Sequence, residues 1–141
     1  MCTRTTTAVL LTLALANLTL AQENALVANI EAEGSVNGLL GAVLFEEGDL
    51  LSVTYAASVA NYTGDSQVVH AEIWLENWEH QQIAEDGGMP FTVPPGAQVF
   101  MDYELQEENA QGWEYYSSGR LFILGSNSNQ DLSSAFRDFW M

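Results

Sequence analysis

The residues best equipped for chemistry crowd one stretch: His70, Glu72, Glu76, Glu79, His80, Glu85 and Asp86. Imidazole nitrogen together with carboxylate oxygen is a donor set for a divalent ion, and such an ion would serve a metal-dependent hydrolase by activating water. The spacing works against convergence. His70, Glu72 and Glu76 share one parity of a strand, whereas Glu79 and His80 follow a bend, so a solvated acidic face is the plainer expectation. Further along, Asn127, Asn129 and Asp131 stand at the first, third and fifth positions of an EF-hand-like calcium loop. Leu132 replaces the glycine that loop needs, and Ala135 occupies the ninth position, so the match to a calcium site is partial. A glycosidase carboxylate pair can be drawn from almost any two of 19 acids and is licensed by none of them. Nucleophilic catalysis lacks its parts: there is no Gly-x-Ser-x-Gly elbow, the single cysteine is Cys2, and neither histidine has an orienting third residue. A non-catalytic protein is the expectation.

The tryptophans offer binding rather than catalysis. Trp74 falls on the polar parity with Glu72 and Glu76, which predicts that it faces away from the core and joins Trp78 in an aromatic, acidic surface. Trp113 lies in the polar segment Gln106 to Tyr116. Aromatic faces flanked by hydrogen-bonding side chains suit sugar rings or a partner protein. The competing expectation buries Trp74 beneath that polar segment or beneath the N-terminal residues.

Elements that would hold these residues are strands. Leu51, Val53, Tyr55, Ala57 and Val59 alternate with Ser52, Thr54, Ala56 and Ser58, the period of a strand buried on one side. Asn61 to Ser66 supplies a turn, and Val69, Ala71, Ile73 and Leu75 repeat the alternation at hairpin distance. Gln81 to Ala84 and Phe91 to Val93 are shorter candidates. In Pro94-Pro95-Gly96, Pro95 presets the first central residue of a type II turn and Gly96 supplies the positive φ of the second. Val99, Met101, Tyr103 and Leu105 continue the pattern, Gln106 to Tyr116 reads as loop, and Arg120 to Leu124 as strand. Ala135 to Trp140 closes as a strand, with a helix capped by Asp131 as the competing reading. Ala28 to Glu33 and Leu39 to Phe45 are further short strands, separated by Gly34 to Gly38. Val53, Tyr55, Val59, Val69, Ala71, Ile73, Leu75, Val99, Met101, Leu121 and Ile123 are the expected core. Seven to nine short strands with regular turn signals predict one all-β, antiparallel sandwich.

Charge bounds the partners. Three basic residues, all arginine, face 19 acids, for a net charge of -16. A surface with so few cations cannot displace counterions from phosphates, which excludes nucleic acid, and it disfavours anionic lipid as well. Charged residues are only 16% of the chain and hydrophobic ones 48%, the composition of a folded domain rather than a disordered one. Arg4, the apolar run Ala8 to Leu20 and the ending Thr19-Leu20-Ala21 have the architecture of a cleaved export signal helix. The expected domains are therefore a signal over 1–21, an N-terminal segment of short strands or a free arm over 22–47, and the sandwich over 48–141. The mature chain would hold no cysteine, which excludes a disulfide scaffold, and would be secreted to the exterior, the cell surface or the periplasm, with no direct membrane binding after cleavage.

From Val53-Thr54-Tyr55 through Asn61-Tyr62-Thr63, Val69 to Leu75, Phe91 to Ala97 and Gly119 to Gly125 to Ser134 to Phe139, the chain resembles the immunoglobulin-like β-sandwich modules of secreted and cell-surface bacterial proteins. The resemblance covers about residues 48–140 and rests on turn chemistry, including the Asn-x-Thr turn and the Val-Pro-x-Gly turn. It implies an adhesive, spacing or binding module for a protein or glycan partner; no cofactor is expected beyond the calcium that the spacing of Asn127, Asn129 and Asp131 suggests. Two alternatives stand beside it: self-association through a strand donated from residues 22–47, and a metal-dependent hydrolase using the His70 to Asp86 cluster.

Overall fold

A computed structural model describes residues 25–123 and 131–141. The predicted signal and two of the calcium-loop positions, Asn127 and Asn129, lie outside the described residues. The strands are β1 (Leu26–Val36), β2 (Leu39–Leu40), β3 (Leu51–Asn61), β4 (Gln67–Glu76), β5 (Gln82–Asp86), β6 (Phe91–Val93), β7 (Gln98–Glu107), β8 (Glu114–Ile123) and β9 (Asp131–Trp140). They form two antiparallel sheets. One has the order β2-β1-β3-β7, the other β5-β4-β8-β9, with β6 also on β4. The described residues thus form an antiparallel β-sandwich of nine strands, within the seven to nine that the spacing of strands and turns predicts, and of the immunoglobulin-like kind that the resemblance implies.

Alternation sets which face is buried. On β3, Leu51, Val53, Tyr55, Ala57 and Val59 point inward, and across the gap β4 presents Val69, Ala71, Ile73 and Leu75, every one of them buried. Leu121, Tyr115 and Phe139 complete that side of the core. Val99, Met101 and Ile123, expected in the core, are only partly buried, because β7 is an edge strand and Ile123 ends β8. A hydrogen-bonded chain ties the sheets together. Ser117 Oγ donates to the Trp74 carbonyl (2.8 Å), so the Tyr55 hydroxyl donates to Ser117 Oγ (2.7 Å). Burial pushes the Tyr55 phenol up to about 12, against a smaller downward pull from Ser117. The Tyr55 ring lies over Gly119, where a Cβ would stand 2.7 Å from Tyr55 Cε1 and 2.8 Å from Ile73 Cδ1.

The turns follow their chemistry. Gly96 has φ +75°, and Ala97 N–H donates to the Pro94 carbonyl at 3.1 Å, the positive-φ turn predicted there. Asn61 is fully buried and closes two turns at once. Its Nδ2 donates to the carbonyls of Asp65 (2.9 Å) and Val93 (2.8 Å), while Oδ1 accepts from Thr63 N–H and Thr63 Oγ1.

Other expectations need correction. Residues 34–36 continue β1 rather than forming a turn, because Gly34, Ser35 and Val36 pair with Val53, Ser52 and Leu51; the reversal falls at Asn37 (φ 50°) and Gly38. β1 pairs with β3 of its own chain along its whole length. Leu39 to Phe45 is not one strand: two residues pair with β1, and Leu44 makes a single parallel bridge to Trp140. The segment Gln106 to Tyr116 loops only between Glu107 and Glu114, since cross-strand pairing lengthens β7 and β8 into it. Asp131 begins a strand, not a helix, as residues Asp131 to Trp140 pair with β8.

Candidate functional site

β4, β8 and β9 run side by side, and every second residue of each stands on the outer face of that sheet. The registers fix the pattern. Trp74, Ser118 and Phe136 form one cross-strand row, Glu76, Tyr116 and Asp138 the next, and Glu72, Arg120 and Ser134 another on the opposite side. Trp74 is half-buried with its Nε1–H on Glu76 Oε1 (3.2 Å), Tyr116 stacks on Phe136 with centroids 6.2 Å apart and planes 27° apart, and Phe136 is 64% exposed. Three rings thus surround Ser118, with carboxylates on two sides.

Arg120 neutralises the neighbouring end of the face. It donates to Glu72 Oε2 (3.1 Å) and Asp131 Oδ1 (3.3 Å), and its guanidinium lies 4.5 Å from the Phe122 ring centroid. Hydrogen bonding to Glu72, the largest influence, with charge from Glu72 and Asp131, holds the guanidinium above its ordinary value despite partial desolvation. His70 packs on Phe122 (4.9 Å) and donates Nε2–H to the Gly88 carbonyl (3.0 Å).

The predicted partnership of Trp74 with Trp78 does not form. Trp78 follows β4 at the end of the sandwich, where its ring covers Gly112 (φ +78°) and meets Trp113 (6.2 Å) and Tyr115 (6.3 Å). A Cβ on Gly112 would fall inside the Trp78 ring, so glycine is required there on two counts. Trp113 is 59% exposed. Beside Trp78, an open cavity of about 280 Å³ is lined by Ile83, Glu107, Asn109, Gln111 and Tyr115, among others. The residues Gln106 to Tyr116 therefore sit against Trp78 and not over Trp74.

The His70 to Asp86 constellation disperses. Glu72 belongs to Arg120, Glu76 to Trp74, Glu85 accepts from Gln82, and Asp86 caps its own Gly87 N–H. His80, at φ 61° and exposed, lies 3.9 Å from Glu76. Among the described residues, no three side chains of His, Cys, Asp or Glu converge where a metal could sit. Asp131, the one described member of the predicted calcium loop, is the ion-pair partner of Arg120.

Two features went unread in the sequence. On the outer face of the other sheet, Glu31 and Glu33 of β1 face Asp102 and Glu104 of β7 across the small side chains of Thr54 and Ala56, forming an acidic trough of about 690 Å³. The signal was present as alternation within 26–36 and 98–107, but only register could place the four acids together. At the far end, Leu39, Leu40, Val43, Leu44, Trp140 and Met141 are exposed apolar residues, carried by the excursion between β1 and β3 and by the end of β9.

No family model and no curated protein matches this chain. Solved structures of similar fold include a putative β-galactosidase from Bacteroides fragilis, with TM-score 0.54 and 12% identity over 81% of this chain and 17% of that one. Another is the Bacteroides uniformis β-glucuronidase 2, with TM-score 0.53 and 8% identity over 82% of this chain and 14% of the enzyme. The CARDB domain of a Pyrococcus furiosus protein, solved with di-metal ions, is also similar, with TM-score 0.43 and 12% identity over 82% and 85% of the two chains. This chain spans less than a fifth of the two glycosidases' length. The likeness to them is one of fold alone. The class that these likenesses support is a class of fold, the antiparallel immunoglobulin-like β-sandwich.

Proposed function

We propose that the protein is an exported, non-catalytic binding module whose contact surface is the outer face of β4, β8 and β9. The observation that carries this reading is the outward-facing ring cluster of Trp74, Tyr116 and Phe136, in which Phe136 is exposed and the other two are half-buried. Exposed aromatic patches on a rigid sheet are costly to leave in water, and they form the energetic centre of many interfaces. The scattering of the His70 to Asp86 groups supports a role without catalysis, and Arg4 with the apolar run to Ala21 supports export.

The test draws the ligand from its natural surroundings. Mature protein is immobilised beside a Trp74→Ala/Phe136→Ala variant of equal thermal stability, and each is exposed to the solubilised envelope and extracellular polymer fraction of the producing cells. Surface plasmon resonance should show retention by the native face and at least tenfold less by the variant. Equal retention on both would refute the assignment of the face. Mass spectrometry of the native protein should find Gln22 at its N terminus, and an intact Met1 would refute export by cleavage after Ala21.

A further inference from the structure

The geometry points to a neutral polysaccharide chain as the ligand of this face, an inference that rests on the binding role proposed above. Trp74 and Phe136 pair with the same residue, Ser118, from opposite sides, so their Cα atoms stand two strand spacings apart, about 10 Å. That separation matches alternate pyranose rings, two residues apart along a glycan chain laid across the strands. Tyr116 lies diagonally between the two positions and stacks on Phe136 with the planes 27° apart, so the row of rings is continuous from β8 to β9.

What separates the rings is equally informative. Glu76 and Asp138 flank Tyr116, Ser118 lies between Trp74 and Phe136, and Ser134 follows beside Arg120. A protein interface on this face would need a dry apolar centre, or cations to answer the carboxylates. Sugar hydroxyls need neither, because O–H donors satisfy carboxylates directly through short, charge-assisted hydrogen bonds while C–H faces rest on the rings. Arg120 is occupied by Glu72 and Asp131, so it does not offer a free cation to a uronate or sulfate, and the net charge of -16 repels such polymers. The rings are also held in place beforehand, Trp74 by Glu76 and Phe136 by Tyr116, which lowers the entropic cost of binding.

Affinity electrophoresis with hydroxyethylcellulose, galactomannan and xyloglucan, set against polygalacturonate, tests the assignment on the mature protein. At least one neutral polymer should retard the native protein, polygalacturonate should not, and retardation should survive 0.5 M sodium chloride. Trp74→Ala and Phe136→Ala should each weaken retardation at least tenfold, while Trp113→Ala, at the end of the sandwich, should leave it within twofold. Absence of retardation by all three neutral polymers, or retardation indifferent to Trp74 and Phe136, overturns the inference. The envelope-fraction assay then separates the two levels of failure. Retention destroyed by periodate and resistant to protease supports a glycan. Retention destroyed by protease and resistant to periodate overturns the glycan while the face keeps its binding role, and retention indifferent to the two ring substitutions overturns both.

Discussion

Removing one oxygen, by Tyr55→Phe, tests how the two sheets are joined. In the native protein the Tyr55 hydroxyl is buried and donates to Ser117 Oγ, which donates onward to the Trp74 carbonyl. The variant loses one neutral hydrogen bond but strands no donor, so its cost at neutral pH should be about 1 kcal/mol. Alkaline pH reverses the comparison. The Tyr55 phenol titrates at about 12 when folded, against an ordinary 10, so the folded state holds its proton more tightly than the unfolded chain. A raised value of this kind leaves stability intact below pH 10 and removes it as pH climbs through 12. With one unit worth 1.36 kcal/mol, the native protein should lose about 1.4 kcal/mol by pH 11 through this group alone. Tyr103 and Tyr115 are also raised by burial, but both remain in the variant and cancel in the difference. Urea unfolding of both proteins at pH 7, 9 and 11, followed by tryptophan fluorescence, reads the outcome. The native protein should be the more stable at pH 7 and 9, and that advantage should vanish at pH 11. A stability gap equal at pH 9 and 11 would refute the placement of Tyr55 in a dry inter-sheet contact.

Gly119→Ala should destabilise by about 1 to 3 kcal/mol in thermal or urea unfolding, because the added methyl meets Tyr55 and Ile73, whereas Gly64→Ala, with open space around it, should be nearly silent. Asn61→Ala should cost on the order of 2 to 4 kcal/mol, since it leaves the Val93 carbonyl buried without its side-chain donor and undoes the turn at Thr63; an unchanged urea midpoint would contradict this. Glu31→Gln/Glu33→Gln should raise the melting temperature by a few degrees in 20 mM salt and hardly at all in 1 M, where the screening length falls to about 3 Å; equal effects at both salts would show that the trough is not under charge repulsion.

Strand identity was legible wherever one face of a strand is buried, because alternation then records the core directly. Residues 51–59 and 69–75 are of this kind, and each inward residue on them is buried. β7 was legible as a strand yet misleading about burial, since Val99 and Met101 have the alternation of core residues but sit at a sheet edge. The outward orientation of Trp74 followed from parity alone. Its partners did not, because Tyr116 and Phe136 lie on strands whose register to β4 no local pattern encodes. Proximity in sequence suggested Trp78 instead, and the chain bends away after Glu76, where β4 ends and the turn at His80 takes positive φ.

The two outer faces explain the odd charge balance better than the composition does. Both sheets expose alternate residues, but they use them differently: β1 and β7 place Glu31, Glu33, Asp102 and Glu104 opposite one another with no basic residue between, while the other sheet pairs Arg120 with Glu72 and Asp131 and leaves its rings open. Mutual repulsion across β3 makes the first sheet a poor surface for copies of this chain to stack on. Under the proposed binding role, contact is thereby directed to one face. On the face proposed for binding, Glu76 and Asp138 stand beside aromatic rings, where the hydroxyls of a glycan would find acceptors rather than a like-charged surface.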